Sequence, residues 1–510
     1  QGVKTLTVSS VDNTASGTIT VNSAFELNGS LTGNGNIDLL SGTMTVSGAA
    51  TIGTGGTLDF TQGTLTIVGL TTMDGTLTTF GSGTKILDGV DMDLGGTFDF
   101  ASGSSNLSLS NGAVIDVQSG GMFMMNGGTL DQGSGVLSTV NVLSGGTFER
   151  AAGGSGFVET AVNVAAGGTL NVTGGGFLNL RAGGTLDGDL SVSGGSILTL
   201  EGGSNYYTSA ATNFVGSGFF ALNGAATVLH VTAATTIYNG QTFTQTLGTV
   251  DVQTGATLTI NGTHNWANGT LTGDGTFLYS GNADLNVTAG GAKTIDGTNL
   301  NISNATMTYT GGSLTLTSDA AIDIGAGGQM LLLSGGSIAA GVGTSNQINI
   351  MAGGLLVHDT PGTFVLEPNL TLNGDINLMN GTLQFDGSAD FAGTIQFDPG
   401  TTLLLSGAAD IYNFNGGHNL TGTGGILQLD AIGATMQVST GMIIDNGLTF
   451  DQNSGTVVVT TGTLAVEGVH DWTGGTVTGT GTVLYATSGT LNVQGDTTLD
   501  GIDVMIDGTA

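Results

Sequence analysis

Short stretches in which polar and apolar residues alternate, each closed by glycine, run through the whole chain. Residues 18–21, 43–46, 64–67, 257–260 and 490–493 all place Thr or Asn between Leu, Ile, Val or Met. Alternation with a period of two puts the apolar side chains on one face, as in a half-buried strand. Glycine, which accounts for 94 of 510 residues, supplies positive φ at the corners between strands. No stretch keeps a helical period, so we expect no significant helix.

The spacing of one glycine motif predicts how the strands are arranged. Gly-Gly-Thr followed by an apolar residue begins at positions 55, 95, 127, 145, 167 and 183. These steps are roughly one or two multiples of about 20 residues, which is typical of the coil of a solenoid. One coil cannot bury its own apolar face, but stacked coils bury it continuously. We therefore predict an all-β, elongated parallel β-solenoid, a right-handed β-helix, with coils of about 20 residues.

A much longer repeat is superimposed on the coils. Trp266 follows Phe60 by 206 residues, and Trp472 follows Trp266 by the same 206 residues, each within a similar local sequence. Further on, Lys85 and Lys293 each begin a segment that ends in Asp-Gly, and Thr-Thr-Leu-Asp-Gly matches it at residues 497–501. The chain thus contains tandem copies of a unit of 206 residues.

The repeat also predicts the domain organisation. We place a partial unit at residues 1–88, a full unit at 89–296 and a full or nearly full unit at 297–510. No linker composition separates these units, so we expect one continuous solenoid. Because the sequence starts and stops within a unit, we expect it to be an excerpt of a longer array.

Charge and cysteine content exclude several classes of function. Five Lys plus Arg stand against 38 Asp plus Glu, for a formal net charge of −33, and cysteine is absent. Phosphate binding needs clustered cations, so we expect no nucleic-acid partner. The lack of cysteine excludes disulfides and thiol catalysis. There is no long apolar run of the kind that a membrane-spanning helix needs, so we expect no transmembrane segment in this chain.

Enzymes that cleave polysaccharides on β-helices need paired carboxylates, often beside a cation. Arg150 and Arg181 stand alone in the sequence, and neither lies beside an obvious Asp pair on an adjacent strand. We therefore expect no enzyme activity and no catalytic residue, although stacking can bring distant carboxylates together.

An alternating acidic segment is a candidate calcium site. Asp88, Asp91 and Asp93 offer oxygens of the type that calcium prefers. The equivalent positions in the next copy are Asp296, Asn299 and Asn301. That set carries fewer carboxylates, so solvated turn residues are the favoured interpretation. We expect no metal and no cofactor.

The histidines and threonines suggest two further alternatives. His264 and His470 precede a tryptophan by two residues, which is compatible with sugar stacking, but a phenylalanine in the first copy favours a packing role. The other histidines, His230, His358 and His418, are isolated in the sequence. Thr-x-Thr triplets are compatible with ice binding only if they stack in register on one face.

Turns of the form Leu-Thr-Gly-x-Gly at residues 31–35, 271–275 and 420–424 accompany the Gly-Gly-Thr motifs. With these features the chain resembles the large β-solenoid surface proteins of bacteria, the autotransporter passengers and filamentous-haemagglutinin-like adhesins. The resemblance covers the whole chain and implies export, an extracellular or cell-surface location, and a role in adhesion or in a matrix.

From these features we expect a non-catalytic structural shaft of an extracellular fibre or giant surface adhesin. Expected partners are other copies of the chain, end to end or side by side, and a glycan or cell-surface partner. A glycan- or ice-binding solenoid is the alternative, and a polysaccharide lyase or hydrolase is the less favoured one.

Overall fold

The structure is a computed structural model that describes residues 4–6, 10–13, 17–101, 106–415 and 417–507. It divides into two compact units, Gln1–Leu258 and Thr259–Ala510. Across the described ranges every regular element is a strand and none is a helix, which confirms the all-β prediction. Residues 508–510, where the sequence stops within a repeat unit, lie outside the described residues.

The first unit consists of short strands that each cross one side of a coil. In chain order these strands are Lys4–Leu6, Ser10–Asn13, Thr18–Val21, Phe25–Leu27, Ser30–Gly33, Asn36–Leu39, Thr43–Val46, Ala50–Ile52, Thr57–Phe60, Gly63–Ile67, Leu70–Met73, Thr76–Thr79, Lys85–Asp88, Asp91–Leu94, Thr97–Phe100, Asn106–Ser110, Val114–Val117, Met122–Met125, Thr129–Gln132, Thr139–Val142, Thr147–Arg150, Gly154–Val158, Ala161–Val164, Thr169–Val172, Gly176–Leu180, Gly184–Thr185, Asp189–Val192, Ile197–Leu200, Asn205–Thr208, Thr212–Gly216, Phe219–Leu222, Val228–Val231, Thr235–Ile237, Thr242–Gln245 and Thr249–Val252. Strand Thr257–Ile260 spans the division between the units.

The second unit has the same short strands and four longer ones, of 11 or 12 residues, that continue around a corner. In chain order its strands are Thr263–Trp266, Gly269–Thr272, Thr276–Tyr279, Asp284–Val287, Ala292–Asp296, Asn299–Ile302, Thr306–Tyr309, Ser313–Thr317, Ala321–Ile324, Gln329–Leu332, Gly336–Ala340, Gln347–Ile350, Leu355–Leu366, Asn369–Leu372, Asp375–Phe385, Ala389–Phe391, Ile395–Phe397, Thr402–Leu405, Ile411–Phe414, His418–Gly422, Ile426–Leu429, Thr435–Val438, Met442–Ile444, Thr449–Gln452, Thr456–Val459, Thr463–Val466, Val469–Gly479, Thr482–Tyr485, Thr490–Asp500 and Asp503–Ile506.

Strands pair in parallel with the strand that lies one coil later. Thr43–Val46 pairs with Gly63–Ile67, which pairs in turn with Lys85–Asp88. Two other strands lie between successive partners, so each coil contributes one strand to each of three ladders. This stacking confirms the parallel β-solenoid, and handedness stays a prediction.

The coils are about 22 residues long, slightly longer than the predicted value. The spacing of the glycine motif predicts the coil length only approximately, because corners differ in length. Thr18 pairs with Asn36 across a short coil, whereas Phe123 pairs with Phe148 across a longer one.

Alternate side chains of each strand point inward and fill a continuous core. Most four-residue strands have their second and fourth residues buried and the others partly exposed, as in Thr97–Phe100. In the first unit Phe98, Phe123 and Phe148 occupy one register position of three successive coils. Their ring centroids are 4.7 and 5.0 Å apart. Burial of this repeating apolar face is the main stabilising contribution of each coil.

Glycine is required where a corner passes close to the coil before it. Gly63 has φ of +114°, and a Cβ atom there would lie 2.1 Å from the carbonyl oxygen of Gly42. Any larger residue would clash with the backbone and adopt an unfavourable φ. The glycines that mark the corners in the sequence therefore also set how closely the coils stack.

In the second unit we number the ladders by their first strands. Ladder 1 begins with Thr263–Trp266, ladder 2 with Gly269–Thr272 and ladder 3 with Thr276–Tyr279. Successive strand pairings connect Thr263–Trp266 to Thr482–Tyr485, so Trp266 and Tyr485 both lie on ladder 1. Strand pairing likewise connects Gly269–Thr272 to the strand of Trp472, which therefore lies on ladder 2.

The equivalent tryptophans thus lie on different ladders. The reason is arithmetic, because 206 residues divided by coils of about 22 residues gives about nine and one third coils. Each repeat within this unit therefore moves an equivalent residue onto the next ladder. The 206-residue period in the sequence did not reveal this shift, because the predicted coil length was too approximate to separate a whole number of coils from a fractional one.

Candidate functional site

Two of the few cations are enclosed by backbone carbonyls. Lys85 is fully buried, and its Nζ donates hydrogen bonds to the carbonyl oxygens of Gly81 at 2.8 Å and Gly83 at 2.7 Å. Lys293, its equivalent in the next repeat, is also fully buried and donates to Gly291 at 3.2 Å. Burial lowers the pKa of both amines. These lysines therefore close corners and do not face solvent, where an anionic substrate would bind.

Arg150 is used in the same way. It is buried, and its Nη1 donates to the carbonyl oxygens of Met125 at 2.8 Å and Gly127 at 3.0 Å. Nη2 donates to Gly153 at 3.2 Å and Gly154 at 3.0 Å. Desolvation lowers the pKa of this guanidinium. Its position inside the coil leaves it unable to neutralise a uronate on the surface.

Arg181 lies on the outside of the first unit, between two acidic residues. Its Nε lies 2.7 Å from Glu201 Oε1 and its Nη1 lies 3.3 Å from Glu159 Oε1, while the guanidinium stacks 4.2 Å above the ring of Phe157. The sequence shows no obvious Asp pair beside Arg181, and the structure places two glutamates there instead. Glu159 and Glu201 precede and follow Arg181 by about one coil, a spacing that the repeat length could have revealed.

Asp131 extends this group, and we name Asp131, Glu159, Arg181 and Glu201 the Arg181 column. Burial raises the pKa of Asp131, and the charge of Glu159 raises it further, whereas the amide of Asn106 opposes the shift. The hydrogen bonds of Arg181 to both glutamates raise the pKa of the guanidinium. The positive charge of Arg181 thus compensates the negative charges of Glu159 and Glu201.

Elsewhere, amide side chains compensate the carboxylates. Asn141 donates to Asp116 at 2.7 Å, and Asn163 donates to Asn141 at 2.9 Å, each from the coil that follows. In the second unit Asn349 donates to Asp323 at 2.7 Å in the same way. A neutral donor that is hydrogen-bonded to an anion gives a charge-assisted bond without a cation. Such rows explain how stacked coils tolerate a large negative charge.

The predicted calcium candidates belong to these rows. Asp88 ends strand Lys85–Asp88 and accepts a hydrogen bond from Asn111. Asp93 lies on the next strand, together with Asp91, and accepts from Gln118 at 2.6 Å. In the described part of the chain no three or more carboxylate or imidazole groups are arranged to hold a metal ion. In the next copy, Asp296 ends Ala292–Asp296, and Asn299 and Asn301 lie on the strand that follows.

The two His-x-Trp segments form buried clusters. We define the His264 cluster as His264, Trp266 and Tyr279, and a hydrogen bond of 2.8 Å joins His264 Nδ1 to Tyr279 Oη. All three side chains are fully buried. Burial lowers the pKa of His264 to about 3 and raises that of Tyr279 well above its usual range.

The His470 cluster, defined as His470, Trp472 and Tyr485, repeats this geometry. His470 Nδ1 lies 2.7 Å from Tyr485 Oη, and burial lowers the pKa of His470 to about 3. The ring of Phe450 stacks on His470 with centroids 4.6 Å apart. Both tryptophans lie in the core, where they pack and do not present a stacking surface to a sugar.

The remaining histidines differ from one another. His230 is not isolated as predicted, because its Nδ1 lies 2.9 Å from Asp251 and its ring stacks on Tyr207 at 4.8 Å. Asp251 follows His230 by about one coil, so the repeat length again carried the signal. His358 is buried, and desolvation lowers its pKa. The side chain of His418 lies outside the part that the structure describes.

Stacking of the threonine triplets can be followed from the strand register. The pair Thr43 and Thr45 aligns with Thr64 and Thr66 in the next coil. The coil after that presents Ile86 and Asp88 at the outward positions of the same ladder. The triplets of this ladder therefore do not form an uninterrupted double rank of the kind that the ice-binding alternative requires.

Neither a protein-family model nor a curated protein matches this chain. In the described part of the chain no helical segment has the length and apolar character needed to cross a bilayer.

Proposed function

We propose that this chain is a non-catalytic structural shaft of an extracellular fibre or of a giant cell-surface adhesin, as the resemblance to bacterial β-solenoid surface proteins implies. The observation that carries the proposal is where the chemically versatile side chains lie. Lys85, Arg150, Lys293 and the histidines of both clusters are buried and bonded within the coils. These groups stabilise the stacking of the coils and are not accessible to a substrate.

The mechanical basis of the proposal is the ladder pairing. Strands within the ladders, such as Gly63–Ile67, are hydrogen-bonded to strands in the coils before and after them, so a load that separates coils must break several backbone bonds together. Aromatic side chains in contact, such as Phe98, Phe123 and Phe148, add apolar contact between successive coils. Resistance to separation is therefore distributed over every coil.

The exterior supports an extracellular role. Rows of Asn and Asp keep the surface hydrated and anionic, which favours solubility and disfavours binding to nucleic acid and to anionic lipid. We propose other copies of the chain and a cell-surface molecule as its partners.

The test is immunogold electron microscopy of the native material, with antibodies raised against this chain, on intact and on permeabilised cells. The proposal expects gold along filaments or rods outside intact cells. Rods that end at the cell envelope favour an adhesin shaft, and unbroken filaments with a subunit repeat favour a fibre. Gold that appears only after permeabilisation would contradict the proposal. So would release of reducing ends or unsaturated sugars from a polysaccharide by the purified chain.

A further inference from the structure

A polar groove follows ladder 1 of the second unit, on the outside of the coils. Its larger part has a volume of about 460 Å³ and is lined by Gln329, Asp375, Asn377, Thr394 and Gln396 together with glycine corners. A second depression of about 260 Å³ shares Gly327 and Gln329 with it and continues past Thr306 to Asp284. The groove therefore spans successive coils along one ladder.

Strand register explains why these side chains line up. Asp284 is paired with Thr306, Thr306 with Gln329, and Gln329 with Leu355. Leu355 is paired with Asp375 in the next coil. All are outward positions and form one row along the groove. Asn377 and Gln396 are paired with each other in a second outward row of the same ladder, so two rows of side chains line the larger part of the groove.

The corners on one side of the groove leave room because they have no side chains. A Cβ atom at Gly328 would lie 2.2 Å from the carbonyl oxygen of Ile302, and one at Gly354 would lie 2.4 Å from that of Ile324. Close stacking of the corners thus requires glycine. The same requirement leaves the groove open beside the row of polar side chains.

The amides in this groove differ from those in the Asn–Asp rows. Asn349, on another ladder of this unit, donates to Asp323. By contrast, the side-chain amides of Gln329, Asn377 and Gln396 make no hydrogen bond to any of the described residues. These three amides are consequently free to donate to and accept from a ligand.

The lining also restricts the charge of a ligand. The second unit has a single Lys or Arg, Lys293, which is buried. The groove itself holds one carboxylate in its larger part, Asp375, and one in its extension, Asp284. An anionic ligand would be repelled, whereas hydroxyl groups can pair with amides and carboxylates alike. Leu355 adds one apolar contact for the C–H face of a pyranose ring.

We propose that this groove binds a neutral polysaccharide, laid along ladder 1 with about one sugar residue per coil. Adjacent coils are about 4.8 Å apart, which is close to the length of one pyranose residue in an extended chain. Each sugar would meet the outward side chains of one coil, and the glycine corners would allow close approach. This site goes beyond the shaft role and does not depend on it.

The test is isothermal titration calorimetry of the full chain with cellohexaose, mannohexaose and xylohexaose as neutral probes and hexagalacturonic acid as the anionic probe. We expect at least one neutral hexamer to bind and the anionic hexamer not to bind. The triple variant Gln329→Ala/Asn377→Ala/Gln396→Ala should weaken binding by at least about tenfold. Asn349→Ala is the matched control, because it removes an amide that is already paired on another ladder, and it should leave the affinity unchanged.

Three results would overturn the proposal. The first is the absence of binding of all three neutral hexamers at millimolar concentration. The second is undiminished binding by a triple variant whose denaturation midpoint matches that of the native chain. The third is tighter binding of the anionic hexamer than of every neutral one. None of these results bears on the shaft role, which is tested by where the native material is found.

Discussion

The same position of the repeat is built in two ways in the two units. In the first unit it is an apolar group, the Leu58 cluster of Leu58, Phe60 and Met73, all of them buried. In the second unit the equivalent residues are histidine, tryptophan and tyrosine, in both the His264 cluster and the His470 cluster. Each equivalent residue lies 206 positions from its counterpart.

The difference shows that hydrogen-bonded partners are exchanged together. A buried tyrosine hydroxyl or imidazole without a partner costs free energy, whereas two apolar residues in their place leave nothing unsatisfied. The Leu58 cluster has neither polar group, and the other clusters have both, joined by bonds of 2.8 and 2.7 Å. The core position thus accepts either a paired set or an apolar set.

The largest expected effect comes from removing the central aromatic ring. Phe60→Ala, Trp266→Ala and Trp472→Ala should each lower the free energy of local unfolding by about 3–5 kcal/mol, because each leaves a large cavity in a packed coil. Hydrogen exchange of the amides on the flanking strands measures this free energy. A loss below about 1 kcal/mol would contradict the packing role of the ring.

Acidification should separate the two kinds of cluster. His264 and His470 have pKa values of about 3 in the fold against 6.5 when unfolded. The fold therefore has its full stability above pH 6.5, where both imidazoles are neutral in the folded and the unfolded state. Folding stability is lost as the pH falls from 6.5 towards 3, because the unfolded chain binds protons that the folded chain does not. We expect about 2 kcal/mol of local stability to be lost per histidine by pH 5.

The measurement is hydrogen exchange at pH 6.5 and pH 5, after correction for the intrinsic exchange rate. Strands around the Leu58 cluster serve as the internal control, since no histidine is packed there. Equal losses around all three clusters would show that the histidines are not the cause.

A double-mutant cycle sharpens the comparison further. His264→Leu and Tyr279→Met each introduce the residue found in the first unit. Each single variant leaves the remaining polar side chain buried without the hydrogen bond that joins His264 to Tyr279. We expect each single variant to lose about 1–3 kcal/mol, and the double variant to lose less than the sum by about 1–2 kcal/mol. Additive losses in urea denaturation would show that the hydrogen bond contributes nothing beyond packing.

The smallest expected effect distinguishes the two polar clusters. Trp472 Nε1 donates to the carbonyl oxygen of Gly474 at 3.0 Å, whereas Trp266 Nε1 meets no acceptor among the described residues. Trp472→Phe should therefore cost about 1 kcal/mol more than Trp266→Phe. The chain has two tryptophans, so each variant leaves the other as the sole tryptophan fluorophore. Equal costs in fluorescence-monitored denaturation would contradict this assignment.

Local rules were sufficient for the architecture. Two-residue alternation predicted which residues of Thr43–Val46 are buried, and glycine spacing predicted stacked parallel coils. Contacts between coils were missed, because they depend on the coil length at each place. Arg181 with Glu201, and His230 with Asp251, are separated by 20 and 21 residues, which is about one coil, but corners of different length place several residues near that spacing.

The polar groove was beyond the sequence for a related reason. Gln329, Asn377 and Gln396 resemble any other exterior amide until the register shows that no carboxylate pairs with them. The burial of the lysines could not be predicted from the sequence either. Lys85 lies on the same inward face as Leu87, but this is evident only when the bounds of strand Lys85–Asp88 are known. The structure places these two lysines and Arg150 in the interior.

The fractional number of coils per repeat also governs how such a protein changes when its gene lengthens. When a block of 206 residues is duplicated, each residue of the new block lies on a different ladder from its equivalent in the old one. Trp266 and Trp472, on neighbouring ladders, illustrate this shift. A surface patch that arises in one block is therefore not simply extended by duplication. It reappears turned by a third of a revolution, and three duplications are needed before it faces its original direction.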